Sequence, residues 1–191
     1  MPKVVLLIVA SQGYQPIEYG HTRKALEDAG IKVIVASNKK GTAHAKPCND
    51  SNCNKTTAEK NTHYETASVN VTIDAVNPDD YDGIFIIGGP GALDCLDNST
   101  TYSIMQKIAA RNKPFGAICI SPRILAHAGL LKDKKATCWN GNRQVEELFK
   151  KHEISYVNQP VVIDGTIITA NGPQAATDFG KTIVSLIKER G

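Results

Sequence analysis

The stretch Lys113-Pro114-Phe115-Gly116-Ala117-Ile118-Cys119-Ile120-Ser121-Pro122-Arg123-Ile124-Leu125-Ala126-His127-Ala128-Gly129 decides the fold. Phe115 to Ile118 is a short apolar run suited to a strand buried on both faces, and Lys113-Pro114 stops whatever helix precedes it. Pro122 stands where the first helical turn tolerates a missing N–H. Ile124, Leu125 and Ala128 carry a helix on to Gly129, which ends it. Strand, cysteine and helix are therefore contiguous, and Cys119 falls at the sharp turn between them, a nucleophile elbow. A thiol at a helix N-terminus faces unpaired backbone N–H groups, which favour the thiolate. The N–H of Ile120, next after the cysteine, is placed to stabilise an oxyanion as well.

Working outward, Val4 to Ala10 and Ile31 to Ala36 are two more buried apolar runs. Between them, Ile17, His21, Ala25, Leu26 and Ala29 recur near helical spacing before Gly30, which predicts a right-handed βαβ unit. From Ser37 to about Ala67 the chain is polar and has neither period; residues 38–67 are expected to form a loop insertion. Val69 to Ile73 alternates as an edge strand would, and Ile84 to Ile87 is a buried strand ended by Gly88-Gly89-Pro90-Gly91. A helix is predicted over Ser99–Asn112, and another on the face Val145, Leu148, Phe149 and His152. Val161 to Ile168 reads as a hairpin with an Asp164-Gly165 turn, and Asn171-Gly172-Pro173 opens a last helix. The alternation predicts one α/β domain over residues 1–191, flavodoxin-like and doubly wound. Its mostly parallel sheet carries helices on both faces and binds ligands at the C-terminal strand ends.

Bulk properties narrow the partners. The net charge of +3 comes from 22 basic and 19 acidic residues spread through 191, with no basic block to track a phosphate backbone, which argues against nucleic acid. Val4 to Ala10 is too short to span a membrane and lacks the flanks of a signal peptide, so no membrane association and a cytoplasmic location are expected. Five cysteines, odd in number and irregularly spaced, read as free thiols. Cys48 and Cys53, with His44 and His63 nearby, match no strong zinc signature, and no metal site is assigned to them.

Three separated segments carry a resemblance. Gly88-Gly89-Pro90-Gly91-Ala92, then Ala117-Ile118-Cys119 with Pro122 and Ala128-Gly129-Leu130-Leu131, then Thr169-Ala170-Asn171-Gly172-Pro173 resemble the ThiJ/PfpI superfamily, also called the DJ-one superfamily, of class I glutamine-amidotransferase-like fold. The resemblance covers nearly the whole chain. It implies that Cys119 is the reactive residue, that Glu18 contacts its thiol, and that the chain forms a homodimer. An ionised carboxylate beside a thiolate is repulsive, so Glu18 must be protonated when Cys119 is ionised, and the two titrate as one unit. Gly89 is the expected second oxyanion donor beside Ile120, and His21, Cys138, Trp139, Gly172 and Pro173 are expected around the pocket.

The sequence departs from two branches of that superfamily. Where the hydrolase branch has a histidine after the cysteine, this chain has Ile120; where the other branch brings a histidine from a later strand, it has Ala136-Thr137-Cys138-Trp139-Asn140. His127 lies eight residues along the elbow helix, roughly 12 Å by helical rise, too far to touch the sulfur. The resemblance therefore implies an enzyme for small reactive carbonyls, glyoxalase-like or deglycase-like and acting in stress response, that needs no cofactor. The alternatives are a redox sensor or chaperone working through Cys119 oxidation, with Cys95 near enough to resolve it, and a PfpI-type cysteine peptidase or amidohydrolase.

Overall fold

A computed structural model describes residues 2–46 and 64–190. The strand β1 (Val4–Val9) is followed by a short strand β2 (Gln12–Tyr14), helix α1 (Pro16–Asp28) and β3 (Lys32–Ser37). Then come β4 (Gly41–Ala45), β5 (Thr66–Val69), β6 (Val71–Thr72) and β7 (Gly83–Ile86). Two helices, α2 (Ala92–Leu96) and α3 (Ser99–Ala110), lead to β8 (Phe115–Ile118), the elbow and α4 (Pro122–His127). The rest is β9 (Lys135–Ala136), α5 (Val145–Lys151), β10 (Ser155–Tyr156), β11 (Val161–Asp164), β12 (Ile167–Ala170) and α6 (Ala176–Glu189).

Seven strands form the central sheet in the order β11-β12-β8-β7-β1-β3-β6, parallel except for β11, which runs antiparallel to β12. The inner strands are buried on both faces, as their unbroken apolar sequences require: β7 and β8 are buried at every position, and β1 from Val5 onward. The chain crosses from β1 to β3 in one direction and from β7 to β8 in the other. Right-handed crossovers therefore put α1 and α3 on opposite faces, which makes the sheet doubly wound. Helices α1 and α6 pack closely enough that a Cβ on Gly180 would lie 2.7 Å from that of Ala25, and Phe179 of α6 meets Phe85 edge to face with ring centroids 5.8 Å apart. Ile104, Met105 and Ile108 of α3 cover the other face. Among the described residues no helix is long and apolar enough to cross a membrane.

The boundaries of the predicted elements hold to within a residue or two, and the short strands β2, β9 and β10 are among the elements that no sequence pattern signals. The polar stretch expected to be a loop carries β4 and β5, which pair antiparallel and join β2 in a separate three-stranded sheet. Only Ala43 in β4 and Ala67 in β5 are buried, so these strands rest on backbone hydrogen bonds and leave no apolar period to read. Helix α2 was also unforeseen; five residues are too few to show periodicity. Val71–Thr72 is the edge strand expected there, and the hairpin turn is Gly165-Thr166, with φ +63° at Gly165.

Gly116 places the elbow. A Cβ there would lie 1.8 Å from the carbonyl oxygen of Ile168, its partner in the β8–β12 ladder. Gly116→Ala must push β12 away from β8, and is expected to cost about 3 kcal/mol or more of stability. Chemical denaturation of the variant beside the parent chain checks this.

Candidate active site

Cys119 adopts a left-handed backbone, φ +64°, uncommon for a residue with a side chain and characteristic of strain held at functional turns. The turn is fixed from several sides. Its N–H donates to Ala170 O at 2.9 Å, continuing the β8–β12 ladder past the end of β8, and its carbonyl accepts from Trp139 N–H at 2.7 Å. Ser121 N–H closes the turn on Ile118 O at 3.2 Å, and the Ser121 hydroxyl donates to Ile87 O at 2.9 Å. Only 7% of Cys119 is exposed.

Glu18 arrives from α1. Gln15 caps that helix, its Oε1 accepting from Ile17 N–H at 2.6 Å and Glu18 N–H at 3.1 Å, and Pro16 starts it. Gln15 N–H also donates to Gly88 O at 2.9 Å, docking the helix start on the glycine-rich turn after β7. Glu18 is completely buried, and its Oε2 accepts from Gly88 N–H at 3.0 Å. A Cβ on Gly88 would lie 2.5 Å from the Cys119 Cβ and 2.7 Å from Glu18 Oε2, so the three residues are in contact and only glycine fits between the other two. Gly89, at φ +123°, is packed against the backbone of Gly13 to Gln15, where a Cβ would come within 2.5 Å of Gln15 N. Glu18 Oε1 has no hydrogen-bond partner of conventional geometry, although the carboxyl is coupled to the Cys119 thiol.

Burial dominates the electrostatics of this pair. It raises the Glu18 carboxyl from 4.5 to about 8, with the Cys119 thiol and Gly88 N–H pulling the other way. Burial also pushes the Cys119 thiol up, followed by repulsion from Glu18; the Ile120 N–H at the sulfur opposes this. The helix N-terminus thus acts as foreseen through Ile120, but for a sulfur this deep desolvation outweighs it. The pair accommodates one negative charge at most, and at neutral pH Glu18 holds its proton.

Cys138, Trp139, Gly172 and Pro173 line one cleft of about 230 Å³ next to the elbow, and Cys119 and Glu18 are not among its lining residues. Cys138 Sγ lies 3.1 Å from Cys119 O, within reach to donate, and burial pushes its thiol up to about 12. Sequence reasoning missed Asn158 and Tyr156 in this cleft, the buried Arg123 behind it, and Gln15 in its capping role. For Gln15 a signal existed, since it directly precedes a proline and a helical period.

The histidines lie elsewhere. Nδ1 of His21 is 3.3 Å from the Thr177 hydroxyl, between α1 and α6. His127 pairs with Asp97 at 2.8 Å and lies tilted against the His152 ring, while His44 is exposed on β4. Among the described residues no histidine is bonded to Cys119. Cys95, half-buried in α2, points its sulfur at Gln12 O, 3.8 Å away. Cys48, Cys53 and His63 lie outside the described residues, and among the described ones no cluster of metal-ligating side chains occurs.

Comparison with known proteins matches the chain to a family. Residues 3–186 match the model of the DJ-1/PfpI family. An uncharacterized protein of Methanocaldococcus jannaschii, MJ0967, is 37% identical over 186 residues, covering 97% of this chain and 82% of that protein. A protein of Pyrococcus horikoshii named deglycase PH1704 is 26% identical over 184 residues, covering 96% of this chain and 99% of its own. Among solved structures, a ThiJ/PfpI domain protein from Brachyspira murdochii superposes with a TM-score of 0.84 at 23% identity, over 99% of both chains. Drosophila melanogaster DJ-1beta gives 0.79 at 25% identity, over 99% of this chain and 95% of its own.

A carboxyl that the fold keeps neutral penalises the folded state once the unfolded chain can ionise it. The fold carries no penalty from Glu18 below pH 4.5, loses stability as pH rises from there, and the loss levels off near pH 8. Glu18→Gln, which keeps an acceptor for Gly88 N–H, is expected to be more stable than the parent at pH 7 by about 3 kcal/mol and equal to it at pH 4. Thermal unfolding at the two pH values measures the difference; an equal gain at both would show that Glu18 is ionised in the fold.

Proposed function

The chain belongs to the DJ-1/PfpI family, and from that premise we propose that it is a cysteine-dependent enzyme for small reactive carbonyls, glyoxalase-like or deglycase-like. The observation that carries the reading is the buried Glu18 carboxyl coupled to a strained Cys119. Relatives named deglycases, at about a quarter identity over nearly their whole length, support it at the level of the family.

In this reading the pair first gives up one proton to solvent, and Cys119, as the thiolate beside a protonated Glu18, attacks the aldehyde carbon of a 2-oxoaldehyde. The C–S bond forms as the carbonyl electron pair moves to oxygen, where Ile120 N–H and Gly89 N–H stabilise it. Glu18 gives its proton to that oxygen, and the carboxylate so formed takes the proton from the aldehyde carbon and returns it to the neighbouring carbon, giving a thioester that water cleaves to a 2-hydroxy acid, restoring the pair. The sum is 2-oxoaldehyde plus water giving 2-hydroxy acid, with no oxidant and no cofactor. A carboxyl that titrates near 8 suits this work, since it changes protonation state readily around neutral pH. The burial of Cys119 favours small electrophiles over a peptide carbonyl flanked by chain on both sides, and no described histidine is bonded to the sulfur to serve as base for peptide hydrolysis.

Purified protein given methylglyoxal is expected to produce lactate. Cys119→Ser is expected to abolish turnover, and Glu18→Gln to lower kcat about 10²–10⁴-fold, the worth of a positioned acid-base group. Unchanged turnover in Cys119→Ser would overturn the mechanism.

The same coupled pair also suits a redox role, because a neutral Glu18 and the Ile120 N–H are both available to an oxidised sulfur. Mass spectrometry after mild peroxide separates the two. Two oxygens added selectively at Cys119, in a protein that does not turn over methylglyoxal, would favour sensing.

A further inference from the structure

We infer that Cys138 is the resolving thiol for an oxidised Cys119, the two closing a reversible disulfide with the buried Arg123 guanidinium beside the attacking sulfur. This deepens the redox reading of Cys119 and rests on it. Trp139 N–H donates to Cys119 O at 2.7 Å, so Cys138, one residue earlier, lies beside Cys119. Residues opposite each other on neighbouring strands have Cα atoms about 4.5–5.5 Å apart, inside the roughly 4.4–6.8 Å that a disulfide spans. Cys138 Sγ is turned toward its neighbour, 3.1 Å from Cys119 O and 3.9 Å from Ile120 O, and the Cys119 sulfur feels its charge. Thr137 N–H on Thr169 Oγ1, 2.9 Å, fixes the chain just before it. Cys95, the partner suggested by the sequence, directs its sulfur at Gln12 O instead.

Arg123 is an independent sign. It is only 8% exposed and its Nε has no hydrogen-bond partner. Among the described residues no carboxylate pairs with it. Its Nη2 donates to Asn142 Oδ1 at 3.0 Å and reaches Trp139 O at 3.5 Å, both of them neutral groups. A buried cation without an anion is costly, and this one faces the Cys138 sulfur, toward which the Arg123 N–H and the Trp139 N–H also point. Three donors around one sulfur suit a thiolate better than a thiol. At rest burial outweighs them and pushes the Cys138 thiol up to about 12, so Cys138 keeps its proton and stays inert. A thiol that ionises late is the stronger nucleophile once its proton goes.

The oxidant is a hydroperoxide. The Cys119 thiolate beside a protonated Glu18 attacks the terminal peroxide oxygen; an S–O bond forms, the O–O bond breaks, and the leaving alkoxide takes the Glu18 proton. The Cys138 sulfur then attacks the sulfenic sulfur. The S–S bond forms, the S–O bond breaks, and hydroxide departs with the Cys138 proton as water. Two thiols and one hydroperoxide thus give one disulfide, one alcohol and one water. Sulfinate arises only where a second peroxide outruns Cys138.

The full chain is treated with one equivalent of hydrogen peroxide, blocked with N-ethylmaleimide and mapped by mass spectrometry. The peptides that hold Cys119 and Cys138 are expected joined, with two hydrogens lost, and released by dithiothreitol. Cys138→Ser is expected to gain two oxygens at Cys119 instead, which dithiothreitol does not remove. Arg123→Met is expected to close the disulfide about tenfold more slowly, its sulfenic acid trapped by dimedone in the interval, and Arg123→Lys, which keeps the charge, to recover most of the rate. A parent rate in Arg123→Met would overturn the part given to the guanidinium. Two oxygens on Cys119 of the parent chain with Cys138 still open to N-ethylmaleimide, or a bond from Cys119 to Cys95, would overturn the resolving role and leave Cys119 a sensor. No oxidation at Cys119 would remove the redox reading as well, so the two failures are distinct.

Discussion

The hydrogen bond from Gly88 N–H to the Glu18 carboxyl, 3.0 Å, is the constraint on which the rest of the site depends. It holds a carboxylic acid where water does not reach, and it requires three things at once. The end of β7 must turn without a side chain, because any Cβ on Gly88 would collide with both Cys119 and Glu18. The start of α1 must be pinned, which Gln15 does by capping the helix with its side chain while its N–H bonds Gly88 O. The elbow must bring Cys119 up in a left-handed backbone, which the bonds to Ala170, Trp139 and Ile87 enforce. A neutral buried carboxyl and a positive φ each cost stability locally. The fully buried strands β1, β7 and β8 supply the rigidity that keeps them in place.

Much of this arrangement was legible in the sequence, for reasons that differ by residue. The elbow could be read because an unbroken apolar run, a cysteine and a helix-starting proline follow one another, and each has a strong local preference. The sheet could be read because strands buried on both faces must be apolar throughout. Glu18 was another matter. A glutamate in a first helical turn is ordinarily a solvated charge favourable to the dipole, and nothing in its neighbours announces complete burial; only the resemblance to a family pointed to it. Strands β4 and β5 were missed because their stability rests on backbone pairing around two buried alanines, which no hydropathy pattern records. The cleft wall gathers residues from three stretches of chain around 138–141, 156–158 and 171–174. Asn158 and Tyr156 carry no sign of that meeting in their own sequence.

The direction of the thiol shift also shows where local reasoning stops. Placement at a helix N-terminus argues for an easily ionised cysteine, and Ile120 N–H does act in that sense. Yet that benefit falls off within a turn and amounts to one N–H, while removing a thiolate from water is opposed by the whole of its surroundings. Burial and the Glu18 carboxyl win, so Cys119 is not a freely reactive surface thiol.

That outcome bears on selectivity. An exposed thiolate reacts with whatever electrophile diffuses past, whereas a buried thiol facing a neutral acid gains a nucleophile only when a proton leaves the pair as a whole. In the proposed reading a carbonyl substrate supplies the trigger, since its oxygen takes up negative charge as sulfur attacks and the Ile120 N–H is at hand to receive it. In that reading the protonated Glu18 gives its proton to the same oxygen, so no histidine is needed at the position that Ile120 occupies.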